Sequence, residues 1–365
     1  MTTDYQQLVR RRDGKFRRIV CHTLSTNFRA STKIVEERLP DTLRDSYVVV
    51  ENRFLGINAS DINFTNGRYD PSAKPPFPCG FESVGEVAAV GSKVKKFRVG
   101  DAVACASVYG AFSELLIVHE KGLVRVPAVS ASVLPMLVCG QTASVALTEV
   151  GDMASGETVL VTAAAGGTGQ FAVQLAKLAG NRVIGTCSSE EKAEHLRSLG
   201  CDRVINYRTE DVFRVLREEY PKGVDLVFES VGGSLFKAAL DNLAPKGRLL
   251  VIGAVSGYQD DTAWKQNKKD GGGGGGMPLQ TKLLAKSASV RGFFLNLYND
   301  KLPVHAKKLA TLLEAGLLDP GVDPTPFEGL AAVADALDAL YARKNIGKLV
   351  VSLPPPLLPP PTSRL

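Results

Sequence analysis

Apolar positions fall into two regimes along the 365-residue chain. Up to about residue 145 they form short runs broken by turn residues. Tyr47–Val50, Arg53–Ile57, Val84–Val90, Ala102–Ala104 and Phe112–Val118 read as strands. Gly80, Gly85, Gly91 and the Gly100-Asp101 turn punctuate them. Short strands with regular turns predict a closed or sandwiched antiparallel unit.

From about residue 156 strand and helix patterns alternate. Val159-Leu160-Val161 is wholly apolar, as in a strand buried on both faces. Gln170–Leu178 carries apolar residues at helical spacing. Val183–Thr186, Val224–Phe228, Arg248–Ile252 and Ser289–Phe294 read as further strands, with helices over Glu190–Leu199 and Phe236–Leu243. This alternation predicts an α/β fold with a doubly wound parallel sheet. Helices over His305–Glu314 and Leu330–Tyr341 and a strand over Gly347–Val351 follow. The predicted domains are 1–145, 146–296, a return of 297–353 to the first domain, and a Pro-rich tail over 354–365.

Composition changes this picture little. Apolar residues make up 44% and charged residues 22%, which excludes wholesale disorder. Excess glycine is one run, Gly271–Gly276, inside a long loop from Gly253 to Leu283 that also holds Trp264. Polyglycine holds no single conformation, so disorder is expected at the loop centre. Excess proline sits at Pro354–Pro356 and Pro359–Pro361. The net charge of +6 belongs almost wholly to residues 1–30, where Arg10, Arg11, Arg12, Lys15, Arg17, Arg18 and Arg29 face only Asp4 and Asp13. A solvated basic arm is the expectation, and no nucleic-acid-binding face is indicated. Six scattered cysteines include no CxxC pair, which points to neither a zinc module nor a disulfide framework, and to a reducing compartment. No signal peptide and no uninterrupted apolar span of about 18 residues are seen, so no membrane crossing is expected.

Ala164-Ala165-Gly166-Gly167-Thr168-Gly169 follows the first parallel strand and opens a helix. Glycines there let backbone approach a pyrophosphate seated on the helix N-terminus. The first fingerprint position is Ala164 rather than glycine, so a ligand-free tight turn is the alternative. The next strand ends Thr186-Cys187-Ser188-Ser189, without the carboxylate that an NAD site places on the ribose hydroxyls. Ser188 can donate to a 2′-phosphate, and Lys192 supplies a positive charge. Both point to NADPH. Alternatively Ser188 is an N-cap with Glu191 closing a capping box, and Lys192 a solvated charge.

Gly156–Lys177 resembles the quinone oxidoreductase signature of the medium-chain dehydrogenase/reductase superfamily. Asn58–Asp61, Gly67–Tyr69, Pro78–Val87 and Gly100–Val103 resemble that superfamily's catalytic domain. The resemblance runs from about residue 17 to 353. It implies a GroES-like β-rich catalytic domain plus a Rossmann cofactor domain. Val161–Phe171, Gly185–Ser189, Glu229–Gly233, Ser256–Gln259 and Gly292–Asn296 further resemble zinc-free, peroxisomal, NADPH-dependent reductases of the enone double bond of 15-oxo-prostaglandins. The hexaglycine run departs from their pattern. The resemblance implies that Gly166, Gly167, Thr168 and Gly169 meet the pyrophosphate, and that Ser188, Lys192 and Tyr207 surround the 2′-phosphate. It places Ser230, Ile252 and Tyr258 along the nicotinamide ribose and adenosine side, Phe293, Phe294 and Leu295 at the nicotinamide, and Asn345 closing the site. Relatives are often homodimers that pair cofactor-domain sheets edge to edge.

The superfamily's zinc alcohol dehydrogenases carry a Gly-His-Glu triplet; this chain has Gly80-Phe81-Glu82, with Asn58 where a cysteine ligand would stand. No metal is expected. His22, His119, His195 and His305 are remote in sequence and read as surface or core histidines. Without a Lewis acid, an enone is an easier acceptor than a ketone, because a few hydrogen-bond donors stabilise its enolate oxygen. The candidates are Tyr258 as first choice of proton donor, then Tyr69, with Asn58. Either tyrosine could instead be a wall aromatic, and Asp61 and Glu82 either orient neighbours or cap. The terminal Ser363-Arg364-Leu365 resembles a peroxisomal import signal presented by an extended proline-rich spacer. Quinone reduction and nucleotide binding without catalysis are the competing readings.

Overall fold

The computed structural model describes residues 2–106, 109–260 and 277–355; the hexaglycine run, Trp264 and the Ser363-Arg364-Leu365 tail lie outside the described residues. The chain forms two units. The first joins Met1–Leu137, Val322–Lys344 and Leu349–Leu365; the second joins Val138–Gly321 and Asn345–Lys348.

The first unit opens with helix α1 (Thr3–Arg11), which buries Tyr5 and Leu8. Asp4 in its first turn and Arg10 and Arg11 in its last suit the helix dipole. Strand β1 (Lys15–Cys21), the short helix α2 (Phe28–Ser31) and strand β2 (Thr32–Arg38) follow. β1 and β2 pair antiparallel from Lys15↔Arg38 to Cys21↔Thr32. The solvated-arm expectation is thereby overturned. Arg11 and Arg12 both pair with the buried Glu51, Arg17 with Glu114 at 2.7 Å and Arg18 with Glu37 at 3.0 Å. Arg29 reaches Asp338 at 2.7 Å. The arm's charge is spent on acids far away in sequence, which local counting cannot see.

β3 (Tyr47–Gly56) fuses the two predicted runs into one strand. Helix α3 (Asp61–Thr65), β4 (Phe77–Pro78), β5 (Glu82–Val90), β6 (Ala102–Ala106), β7 (Leu115–His119) and β8 (Leu123–Arg125) complete the segment. β3 pairs antiparallel with β5 and β7, β5 with β6, and β6 with β8. Inward residues Val48, Val50, Val87, Val103, Leu116 and Val118 form one core cluster.

The second unit alternates strand and helix, with α4, β11 and α7 beyond the predicted elements: α4 (Val138–Val145), β9 (Thr158–Val161), α5 (Gly169–Leu178), β10 (Arg182–Cys187), α6 (Glu190–Ser198), β11 (Arg203–Asn206), α7 (Val212–Glu219) and β12 (Val224–Glu229). Then come α8 (Gly233–Asp241), β13 (Leu243–Val251), α9 (Leu279–Lys286), β14 (Ser289–Gly292) and α10 (Leu302–Glu314). All neighbours are parallel in the order β11-β10-β9-β12-β13-β14. Leu160, Ile184, Ile205, Val227 and Leu249 are buried between sheet and helices.

The unit starts at Val138 rather than 146 because α4 packs on α5 and α10. It runs to Gly321 rather than 296 because His305 of α10 bonds Ser144 at 2.7 Å and Glu149 at 3.3 Å, and Asp319 N–H donates to Gln174 at 2.7 Å. Among the described residues one helical stretch, Ala131–Val150, is long and apolar enough to cross a bilayer, and 61% of its apolar window is buried in the fold.

The first unit then resumes with α11 (Ala332–Tyr341) and β15 (Val350–Ser352), which pairs antiparallel with β3. The closing strand starts three residues later than expected because Gly347 and Lys348 bond within the second unit instead.

Candidate cofactor site and active site

Each strand of the parallel sheet ends beside a candidate residue. Ser188 follows β10, Tyr207 follows β11, Ser230 follows β12, Ile252 follows β13, and Phe293, Phe294 and Leu295 follow β14. The strand order reverses where β9 meets β12, and ligands bind at the carboxyl edge of such a switch point.

The Gly166–Gly169 loop bridges β9 and α5. A Cβ on Gly169 would lie 2.3 Å from the Ala163 carbonyl oxygen and 2.7 Å from Ala164 Cα, so only glycine fits. The left-handed residue of the turn is Ala163, at φ 48°, rather than Ala164, so alanine at the first fingerprint position carries no strain there. Gly347 N–H donates to the Ala165 carbonyl at 2.8 Å and pins the loop from below. Gly166, Gly167 and Thr168 remain half-buried at the N-terminus of α5.

Tyr207 N–H donates to the Cys187 carbonyl at 3.1 Å, which sets Tyr207 beside the buried Ser188. The α6 cap is Ser189, not Ser188: its hydroxyl accepts Lys192 N–H at 3.3 Å. The capping alternative for Ser188 is thus corrected by one residue. Ser188 and Tyr207 thus stand side by side at the ends of β10 and β11, with Lys192 in the first turn of α6.

Sequence reasoning passed over Glu229, although it ends β12 and opens the Glu-Ser-Val-Gly-Gly run. Its side chain is fully buried. Oε1 accepts N–H bonds from Val231 and Gly232, each at 2.9 Å, and the Thr162 hydroxyl at 3.3 Å. Thr162 in turn accepts Ser230 N–H at 2.8 Å. Burial pushes the Glu229 carboxyl above the ordinary carboxylate range, and the Gly232 and Val231 N–H groups oppose that. Ser230 Oγ is buried and has no partner among the described residues.

Tyr258 is buried, and its hydroxyl oxygen accepts Ala254 N–H at 3.1 Å. A Cβ at Gly253 would come within 2.9 Å of that oxygen, so glycine makes the room. Ile252 N–H donates to the Glu229 carbonyl at 2.7 Å. The predicted strand to Phe294 ends at Gly292, and the Phe293 ring stacks on Tyr298 at 5.3 Å. Phe294 is exposed, and Leu295 starts a short helical turn. Asn345 donates to the Gly347 carbonyl at 2.9 Å.

The remaining candidates belong to the first unit. Asn58 Nδ2 donates to the fully buried Glu82 at 2.9 Å, and Asn58 N–H to Asp61 at 2.8 Å. A Cβ on Gly56 would strike Glu82 Oε1 at 2.5 Å, so the carboxylate lies directly on β3. Tyr69 accepts from Asn63 at 3.3 Å. Phe81 sits in an aromatic cluster with Phe64, at 5.4 Å, and Tyr109, at 6.1 Å; Phe64 and Tyr109 stack at 4.4 Å.

Residues 44–128 match the alcohol dehydrogenase GroES-like domain, and residues 167–313 match the zinc-binding dehydrogenase domain. A mouse protein named prostaglandin reductase-3 is 50% identical over 93% of this chain and 90% of its own length. The chain belongs to the quinone oxidoreductase-like medium-chain dehydrogenase/reductases. A probable quinone oxidoreductase of Leishmania amazonensis is 44% identical over 93% of this chain and 98% of its own. The solved Escherichia coli quinone oxidoreductase complexed with NADPH superposes with a TM-score of 0.76 at 27% identity, covering 92% of this chain and 99% of the other.

This medium-chain reductase does not fit the metal in the matched domain's description. Phe81 has no donor atom, and the Asn58 amide is engaged by Glu82. Among the described residues no group of three or more His, Cys, Asp or Glu is placed to hold an ion. A dinucleotide does fit: the glycine loop presents backbone where a Cβ cannot stand, and the buried Ser230 hydroxyl is available to a ligand.

Proposed function

We propose that this protein is an NADPH-dependent reductase of the carbon–carbon double bond of enones, with acceptors of the 15-oxo-prostaglandin class. The reading is supported by one combination: Ser188 and Tyr207 side by side at the ends of β10 and β11 with Lys192 in the first turn of α6, and, in the first unit, Asn58 and Phe81 at the positions of metal ligands in the zinc alcohol dehydrogenases. The names of the mouse relative and the Escherichia coli complex support it.

NADPH, when bound, supplies a hydride to the enone β-carbon, which leaves charge on the enolate oxygen. The chain's own contribution is binding and electrostatics. The α5 N-terminus and the Gly166–Gly169 backbone hold the pyrophosphate. Lys192 neutralises the 2′-phosphate. Glu82 and the Gly56 carbonyl hold the Asn58 amide in place on the acceptor side.

NADPH absorbance with a 15-oxo-enone and an ortho-quinone as acceptors tests this reading. Turnover of the enone to its saturated ketone is expected. Turnover of the quinone alone, or tight NADPH binding with neither acceptor consumed, overturns it. Quinone reduction is the second reading, favoured by the stacked Phe64–Tyr109 cluster beside Phe81, which suits a planar acceptor.

We also propose a homodimer formed along β14, supported by its place at the sheet edge and by the exposure of Leu297 and Leu284 nearby. A monomeric mass in light scattering overturns it. Import into peroxisomes by a receptor for Ser363-Arg364-Leu365 is proposed from the sequence alone. Unchanged localisation of a fluorescent fusion after deletion of that tripeptide overturns it.

A further inference from the structure

Under the glycine loop lies a pair of reactive side chains that the reduction does not use. Cys139 of α4 is 4% exposed. Lys348 is 1% exposed, and its Nζ donates to Cys139 Sγ at 3.6 Å. Both side chains abut Gly167: a Cβ there would stand 3.1 Å from Sγ and 3.3 Å from Lys348 Cδ. The lysine's own segment is stitched to the same loop through Gly347 N–H to the Ala165 carbonyl at 2.8 Å, and to the chain after α10 through Lys348 N–H to the Gly321 carbonyl at 2.9 Å. Any change in the distance from sulfur to nitrogen therefore bears on the backbone that meets the pyrophosphate.

The hydrogen bonds of the Cys21, Cys79, Cys187 and Cys201 thiols run to backbone carbonyls instead. Burial pushes the thiols of Cys79, Cys105 and Cys201 up, which keeps them protonated and inert. An ammonium group within hydrogen-bond distance favours the thiolate, the nucleophilic form.

We propose that Cys139 and Lys348 are an oxidation site: hydrogen peroxide links them through a sulfur–nitrogen bond, and the link disables the dinucleotide loop. In the first step the thiolate attacks one peroxide oxygen. The O–O bond breaks, sulfur is oxidised to the sulfenic acid, and the leaving hydroxide takes a proton from the Lys348 ammonium and departs as water. In the second step the neutral amine attacks the sulfenyl sulfur; an N–H proton and the sulfenic hydroxyl leave as a second water. The product is a sulfenamide that a thiol reverses, on the same ladder as the known condensation of sulfenic acid with nitrogen. A sulfur–nitrogen bond is far shorter than 3.6 Å, so closing it draws the Lys348 segment toward α4 and moves Gly167 between them.

Only the second readout rests on NADPH as cofactor. Full-length protein is treated with hydrogen peroxide and digested, and its peptides are weighed. A peptide joining Cys139 to Lys348, lighter than its two parts by two hydrogens and split by dithiothreitol, is expected. NADPH titration of the same sample by nucleotide fluorescence is expected to show Kd raised about tenfold or more, restored by dithiothreitol. Cys139→Ser and Lys348→Arg each keep size or charge and are expected to give no linked peptide and no change in Kd on peroxide treatment. A Cys139 that stays fully alkylatable after treatment and unfolding overturns the proposal. So does sulfenic acid without a link in the parent protein, or an equal Kd shift in Cys139→Ser. A linked peptide with unchanged Kd overturns the loop coupling while leaving the cofactor reading intact.

Discussion

Two carboxylates, one in each unit, are sealed from water, and they are held in different ways. Glu82 and Glu229 are each 0% exposed. Glu82 accepts a side-chain amide, that of Asn58. Glu229 accepts two backbone N–H groups and a hydroxyl on one oxygen, while its other oxygen is buried with no partner among the described residues. The first carboxylate orients a side chain. The second fixes the course of the chain from Ser230 to Gly232, where it leaves β12. A buried acid that holds backbone is therefore a structural element, and one that holds a side chain tunes an existing site.

Glu229→Ala should be the most damaging change that separates these roles. It strands the Val231 and Gly232 N–H groups, at about 1–3 kcal/mol each before relaxation, so a loss of about 4 kcal/mol in urea unfolding is expected, with weaker NADPH binding. A loss below about 1 kcal/mol would refute the backbone role. Asn58→Ala ranks next. It should cost about 1–3 kcal/mol in urea unfolding, because the buried Glu82 loses its amide donor, while the NADPH Kd stays within about twofold. Equal damage to Kd would place Asn58 with the cofactor instead.

The smallest expected effect is on pH dependence. The Glu229 carboxyl is raised in the folded chain above its ordinary value, about 4.5. In the window between those values the native state keeps a proton that the unfolded chain has released. Its contribution to stability is then full below about pH 4 and lost as pH rises through the window. Glu229→Gln removes that loss. Unfolding free energies of parent and variant, measured from acid to neutral pH, should diverge in favour of the variant as pH rises. Parallel curves would show that Glu229 titrates normally.

The parallel sheet was readable because burial on both faces writes itself as unbroken apolar runs, as in Val159-Leu160-Val161. The glycine loop was readable because close backbone approach leaves few residue choices, as Gly169 shows. β11 escaped because its four residues begin with Arg203 and end with Asn206, too short and polar-edged for a pattern. β1 and β2 escaped because their partner contacts are ion pairs as much as apolar ones, Arg18 with Glu37 among them. Glu229 escaped for another reason: its role depends on donors it creates by turning the chain, and nothing before the turn signals them. The Ser189 cap shows the ordinary resolution of such reasoning, which is one residue either way.

The pairing of β15 with β3 has a consequence for how the polypeptide is made. Val350 lies against Gly56, with the whole of Val138–Gly321 inserted between them in the chain. During synthesis the inserted unit has nearly all its strands before the first unit can acquire its last one. The ribosome therefore releases a parallel sheet able to close early and an antiparallel sheet whose β3 edge waits for the final residues. Such long-range closure is slow, and the exposed edge is where a nascent chain recruits the wrong strand. Messages truncated after α11 should thus yield insoluble product even though every residue of the parallel sheet is present.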